Sequence, residues 1–162
     1  MRTYLILIVA AAIAMASCSK SEQCPYTAPT SIASAAEVAN LKLWLDTNAL
    51  PYQEHPSGIF YQVTTPGSGA TANVCSNVTV KYLGRLTTGA AFDSSYKSYP
   101  NGITFALGQL IPGWQYGIPL VKAGGSIILY IPPSLGYGSS GNGPLVPPNS
   151  NLVFNIDLVD VQ

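Results

Sequence analysis

Leu107-Gly-Gln-Leu-Ile-Pro-Gly-Trp114-Gln-Tyr-Gly-Ile-Pro119 decides how the second half of this chain folds. Gly113 to Ile118 is the only helical candidate in a region otherwise patterned for strands, and Pro119 limits it to about two turns. On its N-terminal side, Ser57-Gly58 opens a strand from Ile59 to Thr64, and Pro66-Gly-Ser-Gly69 makes a turn. Val78, Val80 and Tyr82 alternate with Thr79 and Lys81, the pattern of a half-buried strand. Ile103 to Leu107 is a further candidate. On the C-terminal side, Ile127, Leu129 and Ile131 alternate until Pro132-Pro133 stops them. Leu152, Phe154, Ile156 and Leu158 form the last alternating set. Many strands and one short helix predict an α+β fold: an antiparallel β-sheet wrapped around that helix.

Upstream, Ser34-Ala-Ala-Glu37 is a capping-box pattern before an apolar-periodic run. Val38, Leu41 and Leu45 fall on one face, with Trp44 beside them. This predicts an N-terminal helical extension from Ala35 to Thr47, ending near Asn48 because Pro51 follows. Its expected task is packing against the domain.

The 162 residues suffice for one domain with a core and a short extension. Only 9% are charged and the formal net charge is zero. No basic stripe exists, so nucleic-acid binding has no footing. Arg2 followed by an apolar run from Tyr4 to Ala16 reads as a secretory signal. The run ends in Met15-Ala-Ser-Cys18, which resembles a bacterial lipobox; the resemblance implies acylation of Cys18 after removal of residues 1–17. Ordinary signal cleavage nearby is the alternative. A tether is expected over 18–33, the helix and a linker over 34–56, and the main domain over 57–162.

Three cysteines are awkward for an exported chain, because one is left over. If Cys18 carries lipid, Cys24 and Cys75 remain, and an oxidising compartment favours their pairing. Such a bridge contributes roughly 4 kcal/mol in the chain-entropy model. Two separate thiols are the alternative. No histidine or further cysteine stands at ligand spacing, so no metal is expected.

Several spaced motifs then agree in order: Phe92-Asp93, Pro112-Gly113-Trp114, Gly136-Tyr137-Gly138, Pro147-Pro148 and Leu152-Val153-Phe154. From Ser57 to Gln162 the sequence resembles the FKBP-type peptidyl-prolyl cis-trans isomerase domain. The resemblance implies a pocket with Trp114 as floor and Tyr82, Phe92, Phe154 and Ile103 as walls. Leu110 and Ile111 line its rim, with the Ile111 N–H as a donor to ligand. Tyr137 offers its hydroxyl to a ligand carbonyl, Asp93 stands beside the pocket, and Leu145 and Val146 belong to a flap. Two departures stand out. Gly108-Gln109-Leu110 is about two residues shorter than the matching connection in eukaryotic members, and Asn142 stands where those often carry His.

The set suits bond rotation. An X–Pro bond faces a barrier of about 18–20 kcal/mol and turns over in tens to hundreds of seconds unaided. No bond is made or broken, so no nucleophile, metal or cofactor is required. A low-turnover peptide-binding module or holdase using the same pocket is the alternative. The implied partners are proline-containing unfolded or exported polypeptides, macrolide-type inhibitors and, through the lipid, a membrane; a monomer is the expected state.

Other motifs carry less. His55, the only histidine, precedes Pro56 and is expected in solvent; without it and a Gly-x-Ser-x-Gly elbow no hydrolase is built. Gly136-Tyr-Gly-Ser-Ser-Gly141 matches a dinucleotide fingerprint as a string, but prolines flank it and no helix follows. The long Gly136–Ser150 loop reads as a functional flap.

Overall fold

The computed structural model describes residues 24–162. The expected signal segment and Cys18 lie outside the described residues. Helix α1 spans Ala35–Thr47, strand β1 Gln53–Glu54, β2 Phe60–Thr65, β3 Asn77–Leu86, β4 Ala91–Ser94 and β5 Ile103–Ala106. Helix α2 covers Pro112–Gly117, β6 Gly125–Ile131 and β7 Leu152–Val161. The sheet runs β1-β2-β6-β7-β3-β4, with β5 also on β3, and every pairing is antiparallel. The α+β expectation therefore holds. Along its outer edge β3 pairs first with β5, through Asn77 to Val80, and then with β4, through Leu83 to Arg85.

The period of two divides β6 and β7 between two cores. Ile127, Leu129 and Ile131 of β6, with Leu152, Phe154, Ile156 and Leu158 of β7, point to the face that holds α2. Tyr130 and Val153 point the other way, where Leu41 and Leu45 of α1 and Phe60 of β2 join them. Burying each of those two leucines contributes about 1.5–3 kcal/mol, which is what docks a helix this short.

Glycine lets α2 lie close to β6. A Cβ on Gly113 would sit 2.6 Å from two carbons of Ile131, and one on Gly117 would meet the Leu129 side chain. Four residues apart, the two glycines share one helix face. After α2 the chain tightens into a 3-10 turn over Ile118–Leu120, where Pro119 removes the next amide donor.

Helix α1 has the expected ends. Ser34 Oγ accepts from the Glu37 N–H, and the Glu37 carboxylate accepts from the Ser34 N–H. The same carboxylate also accepts from the N–H and hydroxyl of Ser134, tying α1 to the turn that follows β6. At the other end, the Asn48 amide and backbone N–H both donate to the Trp44 carbonyl.

Some details differ from the sequence reading. Strand β2 begins one residue later than predicted and carries an irregularity between Val63 and Thr65. β5 stops at Ala106, and Leu107 opens a 3-10 turn instead. β1 and β4 are too short to show a period. His55 is only partly in solvent: its Nδ1 lies 2.8 Å from the Ser57 hydroxyl and its ring packs 5.3 Å from Tyr116. Burial lowers its pKa below the ordinary histidine value. The Gly136–Ser150 loop is pinned by two 3-10 turns, Gly138–Ser140 and Gly143–Leu145, and by an Asn142–Val146 bridge.

Candidate functional site

A cavity of about 200 Å³ opens above α2, lined by Tyr82, Asp93, Phe105, Leu110, Ile111, Trp114, Tyr137 and Phe154. Each wall has a separate structural source. Trp114 is delivered by the first turn of α2, which Pro112 starts, and it is only 4% exposed. Tyr82 comes from β3 and Phe154 from β7, neighbours in the sheet. Tyr82 and Phe154 both meet Trp114 edge to face, at 5.2 Å and 82° and at 5.1 Å and 90°. Such pairs contribute about 0.5–1.5 kcal/mol each beyond their burial and fix ring orientation.

Asp93 is set by the end of β4. The buried Ser95 hydroxyl accepts from the Tyr82 N–H at 2.8 Å, and the Ser95 N–H donates to the Tyr82 carbonyl at 3.0 Å. This latch brings Asp93 within reach of the Tyr82 hydroxyl, which donates to it at 2.6 Å. Burial, and then the bond to Asp93, raises the Tyr82 pKa far above its ordinary value. Tyr137 is also raised, by burial first, while its contact with the Asn142 side chain acts in the opposite sense. Both phenols therefore stay protonated at neutral pH and can donate.

Two donors on residues that line the cavity lack protein partners. The Trp114 indole N–H is buried and has no acceptor among the described residues. The Ile111 carbonyl accepts from Trp114 and Gln115, but among the described residues no acceptor meets its own N–H. An unpaired buried donor costs about 1–3 kcal/mol, so such groups point to a ligand or water in the working protein. The rim is braced from below, where the Gln115 amide donates to the Gly108 and Leu110 carbonyls at 3.3 and 2.7 Å.

The structure gathers Tyr82, Asp93, Leu110, Ile111, Trp114, Tyr137 and Phe154 at the cavity. It does not place Ile103 there. Ile103 pairs with Val80 at the start of β5, and Phe105, two residues on, supplies the aromatic wall. Alternation along β5 puts both on one face, so parity alone could not choose between them. Phe92 stands one layer behind, edge-on to Phe154 at 5.5 Å and to Tyr137 at 6.5 Å. Val146 is 2% exposed and belongs to the core, while Leu145 is 60% exposed; neither lines the cavity. The sequence reading gave Ser95 and Gln115 no role. Their parts depend on backbone neighbours that no local pattern announces.

Cys24 and Cys75 are joined as a disulfide across 51 residues. A second cavity, about 220 Å³, lies on the opposite face of the sheet, between Trp44 of α1 and Arg85, Tyr130, Val153 and Asn155. Among the described residues no helix is long and apolar enough to cross a membrane.

Comparison with known proteins gives one consistent answer. Residues 69–159 match the family described as FKBP-type peptidyl-prolyl cis-trans isomerase. A probable isomerase of this type from Haemophilus influenzae is 43% identical over 106 residues, covering 65% of this chain and 44% of the relative. The FKBP-type isomerase FkpA of Escherichia coli is 43% identical over 65% of this chain and 38% of its own length. The chain thus spans less than half of these curated relatives. The crystal structure of Escherichia coli FkpA superposes with a TM-score of 0.70 at 38% identity, over 79% of this chain and 60% of that one. A peptidyl-prolyl isomerase from Pseudomonas syringae gives 0.68 at 31% identity, over 83% of this chain and 99% of the other.

Proposed function

Because the chain belongs to the FKBP-type peptidyl-prolyl cis-trans isomerase family, we propose that it accelerates rotation about X–Pro bonds in exported polypeptides. The observation that carries this reading is the cavity itself: two rings set edge-on to Trp114, two donors without protein acceptors and one further phenol around a space of about 200 Å³. A proline ring fits between Trp114, Tyr82, Phe105 and Phe154, and an apolar wall replaces water around the flanking amide.

As the amide twists, it loses resonance and much of the charge separation at its carbonyl. Removing water therefore costs the planar ground state more than the twisted one. The Ile111 N–H and the Tyr137 hydroxyl orient the peptide carbonyls. A millionfold acceleration requires about 8 kcal/mol of selective stabilisation. Asp93 accepts from the Tyr82 hydroxyl and so holds that ring, with its carboxylate among the groups lining the cavity; no proton is transferred. Phe92 backs Phe154, and Leu145 and Val146 shape the flap outside the cavity. Macrolide-type inhibitors suit the same apolar space.

The remaining parts of the proposal concern location. Residues 1–17 are removed, Cys18 carries lipid, and the domain from Ser57 to Gln162 works as a monomer at the bacterial cell envelope, facing the periplasm or the surface. Mass spectrometry of the mature protein tests the anchor; an unmodified N-terminus at another residue would rule it out.

The enzymatic reading is tested by a proline-limited peptide isomerisation assay on wild type, Tyr137→Phe, Asp93→Ala and Trp114→Ala. Acceleration by wild type and its loss in Trp114→Ala are expected. Wild-type protein that binds unfolded clients without accelerating isomerisation would overturn the enzyme in favour of a holdase.

A further inference from the structure

The segment before α1, expected as a tether, runs against the domain where it is described. It is fixed at four points. Cys24 is bonded to Cys75. The half-buried Tyr26 lies on Gly108, so closely that a Cβ on that glycine would sit 2.5 Å from the Tyr26 Cβ and 2.8 Å from its Cδ1. The Tyr116 hydroxyl, on α2, lies 2.7 Å from the Pro29 carbonyl and 2.9 Å from that of Ser31. The Ala33 N–H donates to the Ser57 carbonyl at 2.9 Å.

Gly108 belongs to the 3-10 turn Leu107–Gln109, which leads directly into the cavity rim. That turn is held from both sides of the disulfide. Cys75 is followed by Ser76, whose carbonyl accepts from the Leu107 N–H at 3.0 Å. Cys24 is followed two residues later by Tyr26, which covers Gly108. From the domain side, Gln115 pins the Gly108 and Leu110 carbonyls. The rim is thus clamped between a side chain of α2 and a ring from outside the domain.

We infer that Tyr26, held in place by the Cys24–Cys75 bridge, is a positioning residue for the Leu110–Ile111 rim, so that oxidation of the bridge sets how tightly the cavity holds a proline-containing peptide. The inference rests on the isomerase reading of the cavity. On that reading Leu110 and Ile111, which line the cavity, contact the peptide in both its planar and its twisted forms. Loosening them should weaken binding uniformly, raising KM and leaving kcat nearly unchanged.

The test uses the full-length chain, with Tyr26→Ala, Tyr26→Phe and wild type under oxidising and reducing conditions. Two readouts are taken: KM and kcat on a proline peptide, and the amide resonances of Leu110 and Ile111. Tyr26→Ala should raise KM about fivefold with kcat kept, and shift both resonances, while Tyr26→Phe restores them. Reducing the bridge in wild type should move KM and the resonances in the same direction. Unmoved rim resonances with unchanged KM, in Tyr26→Ala or in the reduced wild type, would overturn the inference. If Tyr26→Ala does not fold, the reduced wild type decides. If wild type shows no turnover, the isomerase reading fails alone, and the resonances with the peptide Kd still decide the role of Tyr26.

Discussion

The two faces of the sheet are made by the same strands and carry similar residues, yet only one is arranged as a site. Leu129 and Phe154 face α2, while their neighbours Tyr130 and Val153 face α1. Both faces have a tryptophan, and both leave a cavity near 200 Å³. On the α2 face the rings meet edge to face and support one another around an open centre. On the α1 face Tyr52 and Phe60 also meet edge to face, at 5.2 Å and 85°, and Trp44 meets Tyr130 at 6.4 Å and 56°, but Leu41 and Leu45 fill the space beside them. The polar groups differ more. Arg85 is answered by Asn155 at 2.6 Å, whereas the Trp114 indole and the Ile111 amide have no protein acceptor among the described residues. Aromatic content does not mark a site. Unpaired donors over a self-supporting ring set do.

Trp114→Ala should break the comparison most severely. It removes a ring that is both core and cavity floor, costing about 3–5 kcal/mol of stability. Calorimetry and the isomerisation assay should both collapse. Leu45→Ala on the other face should cost about 2–5 kcal/mol, because that side chain is fully buried. Below its lowered Tm, however, Leu45→Ala should keep its isomerase activity. Lost activity in a folded Leu45→Ala protein would mean that the two faces are coupled through the sheet.

What the sequence disclosed follows from the range of each interaction. Helix α1 was legible to the residue because its capping box, apolar spacing and Pro51 are all local. Strands β3, β6 and β7 were legible because each is long enough to show its period. Family resemblance pointed to the rings of Tyr82, Trp114, Tyr137 and Phe154 that line the cavity, but it also made a wall of Phe92, which stands behind Phe154, and at β5 Ile103 and Phe105 share a face and only the closed structure separates them. Cysteine parity suggested the partner of Cys24. Nothing local suggested that Tyr26 would cover Gly108, or that Glu37 would reach Ser134 97 residues away. Such contacts exist only once the sheet has brought distant segments together.

The Glu37 contact gives a smaller, pH-dependent test of the α1 side. Burial opposes ionisation of Glu37, but the hydrogen bonds from Ser34 and Ser134 together outweigh it and lower its pKa. A carboxylate lowered in the folded state adds stability that is present above the usual glutamate range and is lost as pH falls through the folded value. Glu37→Gln should cost about 1 kcal/mol at neutral pH. It should also flatten the loss of stability in acid, measured by urea unfolding between neutral pH and about pH 3. Isomerase activity should not change.

Tyr82 on the α2 face should respond at the opposite end of the pH scale. Its pKa is raised by burial and by donation to Asp93, so the folded protein holds its phenolic proton where the unfolded chain releases it. The resulting stability is complete below the ordinary tyrosine range and is lost as pH rises through it toward the folded value. Tyr82→Phe keeps the ring against Trp114 and removes only the hydrogen bond, a cost of about 0.5–1.5 kcal/mol at neutral pH. Since Asp93 is exposed, water can replace the lost donor and the cost should fall toward the lower figure. The difference in unfolding free energy between wild type and Tyr82→Phe should then narrow above about pH 10. Activity divides the possible roles of Asp93. If the carboxylate serves only to hold the Tyr82 ring, Tyr82→Phe and Asp93→Ala should lower kcat/KM equally, since both remove one bond. If its charge at the cavity also contributes, Asp93→Ala should fall further while Tyr82→Phe stays within about tenfold of wild type.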